Sequence, residues 1–452
     1  MVQRPVNPPA DGWSLTLPPD LWADLCDHLF RDEHGHGAVI LAGRAQGPRG
    51  YRLLGRELIL AADDIDYVPG NTGHRALAPG FVRDAIVRAR DQNLAYLAVH
   101  NHLGDTTVGF SKIDLASHER GYPALQQIAE QIVGAVVLTP RAAAGDLWLP
   151  DGTRAGLAEL VIPSGNLIRL RPRPAQAEHA DPRYDRQARI FGDQGQETLS
   201  RLHVAVVGLG GVGSIVTEFL SRLGVGHLIL IDDETADKTN LPRLLAAEPD
   251  DIDVPKTTLA ARNAIRANPN IHLTVISERV ENPTALDALH QCDWIFLAAD
   301  GHAARHWVNA AVQRYLIPAT QIGVKIPVDE NGNIGQIHAV TRILTPGRGC
   351  MWCNQLIDPT ELAIDMHPDR DRRAARYVTG VPAPSVIALN GLAAAEGVNQ
   401  FIFAVTGLHH DEHDTSSMIY LPRLRERTPQ DQRQDPTCPW CAPNGALGRE
   451  EG

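Results

Sequence analysis

The run VAVVGLGGVGS, residues 204–214, constrains the fold more than any other stretch. Four apolar residues suit a buried strand, and SIVTEFLSRLG behind them suits a helix. Between them stand Gly208, Gly210, Gly211 and Gly213. Glycines let a chain turn tightly off a strand and leave the N–H groups of the next helix open to an anion. HLILIDDE (227–234) and CDWIFLAAD (292–300) read as further strands separated by helical segments. Alternation of this kind predicts an α/β fold with a doubly wound, Rossmann-like parallel sheet. By itself the turn serves a nicotinamide dinucleotide as well as a triphosphate, and Asp232 could bond a ribose in either.

The residues after the second strand separate these readings. DDETADKTNLPR puts Asp232, Glu234, Asn240 and Arg243 in one loop, VPKT adds Lys256, and Asp300 closes a later strand. Ligands bind at strand C-termini in such sheets. Two cations and a carboxylate suit a triphosphate with Mg²⁺ better than a dinucleotide.

Six cysteines are present, and four form the pairs CMWC and CPWC: Cys350, Cys353, Cys438 and Cys441. Four thiolates from two tight turns suit a closed tetrahedral Zn²⁺ with a structural role. Cys292, in an apolar strand, and Cys26, in LWADLCDHLF, read as core residues.

Residues 183–445 resemble the ThiF/MoeB and ubiquitin-activating (E1-like) adenylation family. The matching stretches are RYDRQARIFGDQGQ, GLGGVGS, IDDETADKTNLPR, VPKT, AADG, both CxxC pairs and GVPAPSVIALNGLAAAEGV. The resemblance implies ATP-dependent adenylation of the C-terminal glycine of a ubiquitin-like or sulfur-carrier protein. Asp232 would hold the ribose, Arg243 and Lys256 the phosphates, and Asp300 the Mg²⁺. Arg186 would reach the site of a partner subunit, which implies a homodimer. Glu234 stands where the family more often has Asp. Segment 354–385 has no cysteine, so a thioester is not expected there; Ser385, Thr379 or Thr360 could accept the adenylate as an ester.

VHNHLGDTTVGFSKID, residues 99–114, is the second constraint. His100 and His102, two apart on a strand end, point to one side. Asp114 would open the next helix, with Ser111 one turn before it. Two imidazoles and a carboxylate leave an open position on zinc, where water is activated near neutral pH. The stretch resembles the JAMM/MPN (JAB) metallopeptidase family, and the resemblance covers roughly residues 14–160. That implies His100, His102 and Asp114 as zinc ligands and Ser111 as oxyanion stabiliser. Asn101 and Leu103 depart from the usual residues. Spacing places His36 near the position of the general-base carboxylate, with Glu33 in reach across a short insertion and Glu57 as the alternative. His34 and His36 are expected in a solvated loop.

The chain thus reads as a JAB/MPN-like α/β domain (1–160), a Pro/Arg-rich linker (161–182), the adenylation domain (183–445) and a tail (446–452). Over 452 residues the net charge is −12, which argues against nucleic acid as partner. No apolar run is long enough for a membrane span, and MVQRPVNPPADGW lacks a signal core, so a cytoplasmic protein is expected. Both modules would handle glycine-ended tails. The reading favoured is bacterial ubiquitin-like conjugation with peptidase processing, served by a separate E2-like transfer enzyme. Sulfur-carrier activation and a non-catalytic tail-binding scaffold are the alternatives.

Overall fold

The computed structural model describes residues 12–47, 49–68, 75–175, 177–367, 384–409 and 417–449. The chain forms two compact units, the first of Met1–Gln176 with Arg314–Leu316 and Ala446–Gly452, the second of Ala177–Gln313 and Ile317–Gly445.

The first unit contains β1 (Trp13–Thr16), α1 (Pro19–Leu29), β2 (Gly37–Gly47), β3 (Gly50–Leu60), α2 (Pro79–Asp91), β4 (Ala95–Asn101), α3 (Lys112–Ala129), β5 (Val133–Thr139), β6 (Ala142–Trp148), β7 (Arg154–Pro163) and β8 (Leu167–Leu170). Strand order is β1-β3-β2-β4-β5-β6-β7-β8, and β1 also pairs with β7, which closes the sheet on itself. The apolar run of β2 is explained by burial on both faces. Ala38, Ile40 and Ala42 enter the core enclosed with Leu15, Leu53 and Leu97. Val39 and Leu41 face the opposite core with Ile86 and Tyr96. Each fully buried Ile or Leu contributes about 1.5–3 kcal/mol.

The expected end near residue 160 is corrected. β7 continues to Pro163, and β8 lies inside the expected linker, pairing antiparallel with β7 from Leu160↔Leu170 to Pro163↔Leu167. The arginines that gave this stretch its linker character are pinned instead: Arg169 and Arg171 both bond the Glu159 carboxylate, Arg171 Nη2 at 3.0 Å.

The second unit contains α4 (Asp185–Arg201), β9 (His203–Val207), α5 (Gly211–Leu223), β10 (His227–Ile231), α6 (Lys256–Ala267), β11 (His272–Ile276), α7 (Pro283–Leu289), β12 (Trp294–Leu297), α8 (His302–Tyr315), β13 (Ala319–Lys325), β14 (His338–Leu344), α9 (Pro359–Asp365), α10 (Ile387–Thr406), β15 (Ser417–Leu421) and β16 (Glu426–Gln430). The sheet order is β11-β10-β9-β12-β13-β14-β15-β16. The first five strands are parallel and the rest antiparallel. Chain order reverses between β9 and β12, where Val207 is level with both Ile231 and Leu297. This is the topological switch point, and it gathers Gly208, Asp232 and Asp300 at one sheet edge. Phe401 of α10 packs edge-on to Trp294 and Phe296, 5.4 Å from each. No helix among the described residues is long and apolar enough to cross a membrane.

Candidate functional site

The glycine turn is set by close approaches. Gly208 has φ of +87°, and a Cβ there would stand 2.5 Å from Ala299 N. A Cβ on Gly213 would collide with the Gly208 carbonyl. Gly210 has open space on its side-chain face. It is the N-cap of α5, and no side chain caps that helix. First-turn N–H groups there have no intrahelical acceptors, and the helix dipole favours an anion.

The polar residues expected around this turn are brought together in large part. Asp232 accepts from Leu209 N at 2.6 Å and from Glu234 N at 2.9 Å, so it holds the turn in place. Burial raises its pKa, with nearby Lys256 opposing the rise. Lys256 is buried and ion-paired to Glu234. Arg243 donates to Thr239 O at 2.7 Å, and its Cδ lies 3.4 Å from where a Gly211 Cβ would be. Asn240 is buried, its amide 3.4 Å from Thr239 Oγ1. Asp300 is exposed, past the end of β12. A residue that sequence reasoning missed is Asn390 of α10, whose amide occupies the space beside Gly211 and donates to Ser385 Oγ at 3.1 Å. The available signal was a lone Asn in the apolar run IALNGLAAA. Thr360 sits on the first turn of α9, and Thr379 lies outside the described residues.

Arg186 is not part of this cluster. It is exposed on the first turn of α4, two residues after Tyr184. Tyr184 packs against Gly224, at the C-terminal end of α5. The glycine turn is at the other end, about 20 Å away at ~1.5 Å per residue.

In the first unit, His100 is one of the last two residues of β4, His102 follows directly after the strand, and Asp114 is on the first turn of α3. His100 Nε2 lies 3.2 Å from His102 Nε2 and 3.8 Å from Asp114 Oδ1, and His102 Nε2 lies 3.5 Å from Asp114 Oδ2. Tetrahedral zinc with ~2.0–2.1 Å bonds sets its ligand atoms about 3.4 Å apart, so these donors fit the ion. Burial lowers the His100 pKa and favours the neutral ligand form. Burial would raise the Asp114 carboxyl, but hydrogen bonds from His100, His102 and Ser111 outweigh it and hold the group well below the usual range. Ser111 is the N-cap of α3. Its Oγ accepts from Asp114 N at 3.2 Å and its N–H donates to Asp114 Oδ2 at 2.7 Å. This capping box fixes Asp114 toward the histidines.

Of the carboxylates weighed as general base, Glu57 is ruled out. It pairs with Leu41, which pairs with Tyr96, four residues down β4 from His100, and it is bonded to Arg88 at 2.7 Å. Glu33 is exposed in the turn before β2. Asn101, between the two histidines, clamps that turn: Oδ1 accepts from His36 N at 2.7 Å and Nδ2 donates to His34 O at 3.3 Å. The expectation of a solvated loop holds for His34 and is corrected for His36. His36 is buried, with Nε2 2.8 Å from Asp32 Oδ1 and its ring edge-on to His28.

The four paired cysteines converge. Sγ of Cys350 lies 3.7 Å from Cys353 and 3.7 Å from Cys438, and Cys353 lies 3.6 Å from Cys441. Tetrahedral zinc with ~2.3 Å bonds sets sulfurs about 3.8 Å apart, and a disulfide needs about 2.05 Å. The set fits zinc with no open position. Interaction with Cys441 pulls the Cys350 thiol down to about 6, against the effect of burial. Cys292 is buried, and burial pushes the Cys26 thiol up to about 12; neither is a reactive thiol.

The ThiF family model matches residues 184–439. The chain belongs to that family. It is 30% identical over 223 residues to the Escherichia coli sulfur carrier protein ThiS adenylyltransferase, covering 48% of this chain and 79% of that protein. It is 30% identical over 166 residues to mouse ubiquitin-like modifier-activating enzyme 7, covering 34% of this chain and 17% of that protein. Among solved structures, E. coli MccB with ATP has 23% identity and a TM-score of 0.47, covering 59% of this chain and 76% of that one.

Proposed function

We propose that the second unit adenylates the C-terminal glycine of a ubiquitin-like or sulfur-carrier protein. The observation that carries this reading is the uncapped glycine turn at the switch point, with Asp232, Arg243, Lys256 and Asp300 around it. ATP with Mg²⁺ supplies the adenylyl group. The N–H groups of residues 210–213 bind its phosphates, Asp232 orients the ribose and Asp300 holds the metal. Arg243 and Lys256 neutralise the charge that grows on pyrophosphate as it leaves, once Lys256 releases Glu234. The carrier carboxylate attacks the α-phosphorus, so one P–O bond forms and one breaks. Arg186 completes the site of a second subunit. The test is ATP–pyrophosphate exchange with small carriers ending in glycine. Exchange that requires the terminal glycine and is lost in Asp300→Ala supports the reading; its absence with every such carrier counts against it.

A second reading concerns the first unit, and the 3.2–3.8 Å spacing of His100, His102 and Asp114 favours it. These residues would hold zinc, which supplies Lewis acidity toward a peptide or isopeptide carbonyl. Glu33 moves the proton and Ser111 keeps Asp114 in place. Fusion to an activating unit points to the same glycine-ended tails as substrate, in conjugation rather than in sulfur transfer. Cleavage of a carrier extended past its terminal glycine, lost in His100→Ala, tests this; binding without cleavage would reduce the unit to a tail-binding module.

A further inference from the structure

Asp300 stands between two anchors. Behind it, β12 is buried along its length. Ahead of it, after Gly301, α8 begins. The first turn of α8 is held by a residue far along the chain. Asp365 Oδ2, at the end of α9, accepts from His302 N at 2.6 Å and from Ala303 N at 3.3 Å. The same oxygen lies 3.4 Å from where a Gly301 Cβ would be. The Asp365 carbonyl in turn accepts from Arg279 Nη2 at 2.9 Å.

Asp365 ends a strap laid antiparallel along α8. Gly347 N donates to Gln313 Oε1 at 2.9 Å, and Met351 N to Asn309 Oδ1 at 3.0 Å. Arg305 Nη1 donates to Leu356 O at 2.8 Å, and Asp358 N to His302 Nδ1 at 2.9 Å. Residues 302, 305, 309 and 313 recur at the helical period and so line one face. The strap carries the first cysteine pair at its start and Asp365 at its end. The Asp365 carboxylate satisfies two donors of the first turn of α8.

We propose that Asp365 is a positioning residue for Asp300, setting its carboxylate where it meets the metal of Mg·ATP. This rests on the reading of Asp300 as the Mg²⁺ ligand of the nucleotide site. The test is calorimetric titration of the full chain with ATP, with Mg²⁺ and with EDTA, on wild type, Asp300→Ala, Asp365→Ala and Asp365→Asn, below the melting temperature of each. Wild type should bind more tightly with Mg²⁺, and Asp300→Ala should lose that gain. Asp365→Ala should lose most of it, roughly ten-fold in affinity, with binding in EDTA unchanged. Asp365→Asn keeps an oxygen that accepts from both N–H groups and should recover the gain. A merely structural contact would weaken binding equally in both media. If Asp365→Ala keeps the full gain, or loses affinity equally with Mg²⁺ and EDTA, the proposal is overturned and the role of Asp300 stands. If wild type gains nothing from Mg²⁺, the reading of Asp300 falls and takes the proposal with it.

Discussion

The side-chain amide of Asn390, in the buried face of α10, fills the space into which a Cβ on Gly211 would project. Two helices far apart in sequence therefore meet at the point where α5 presents its N-terminus. Gly211→Ala forces Asn390 or the α5 terminus aside. Overpacking of this kind costs about 1–3 kcal/mol. We expect nucleotide affinity to fall roughly ten-fold or more, and Asn390→Ala combined with Gly211→Ala to recover part of it, as read by titration with Mg·ATP.

Zinc content tests the two ligand clusters together. Elemental analysis should find about two zincs per chain in wild type and about one in the His100→Ala/His102→Ala double variant. Cys441→Ser should lose the other zinc, and the melting temperature of the second unit with it, because metal binding there is folding free energy. One zinc in both wild type and the histidine variant would sink the first-unit site.

Asp146 gives the first unit an acid-sensitive element. The carboxylate is fully buried and takes Arg154 Nε at 2.6 Å, Arg154 Nη2 at 2.7 Å and His118 Nδ1 at 2.8 Å. Burial pushes its pKa up, but Arg154 and His118 outweigh this and leave it below the ordinary 3.8. A depressed folded-state pKa contributes stability that is complete above the unfolded value and is lost as pH falls through the folded one. The first unit should therefore weaken below about pH 4. Asp146→Asn should cost about 1–3 kcal/mol at neutral pH, because Arg154 loses its buried partner and is left with Glu119 at 3.3 Å, and should flatten that acid slope. Hydrogen exchange of the β6 amides reads both.

Arg186 lies a helix length from the glycine turn of its own chain, so any role in adenylation requires a second copy. Arg186→Ala and Asp300→Ala should each be inactive alone. Mixed and allowed to exchange subunits, they should regain about a quarter of wild-type exchange activity, since half of the dimers carry one complete site. No recovery in a verified heterodimer would exclude the trans arrangement.

What was legible in the sequence is what local chemistry dictates. The glycine spacing, strand alternation and paired CxxC motifs are short-range patterns, and the structure reproduces the sheet and clusters they predict. HxH followed by SxxD likewise placed His100, His102 and Asp114 together, because a strand end and a capped helix start leave little freedom. The misses are long-range. β8 was hidden by arginines whose partner, Glu159, is on another strand. His36 reads as solvated until Asp32 and His28 close over it. Asn390 and Asp365 act on residues more than sixty positions away, and no periodicity announces such contacts.

The pairing of β1 with β7 has a consequence for synthesis. Trp13 is level with Leu157 across that seam. Its partner leaves the ribosome about 150 residues later, some 7–30 s at 5–20 residues per second. Until then the edge of β1 that β7 will cover is open, although β3 can already pair with its other edge. The seam between β1 and β7 is thus among the last to close, and the nascent chain spends that interval with an unsealed barrel.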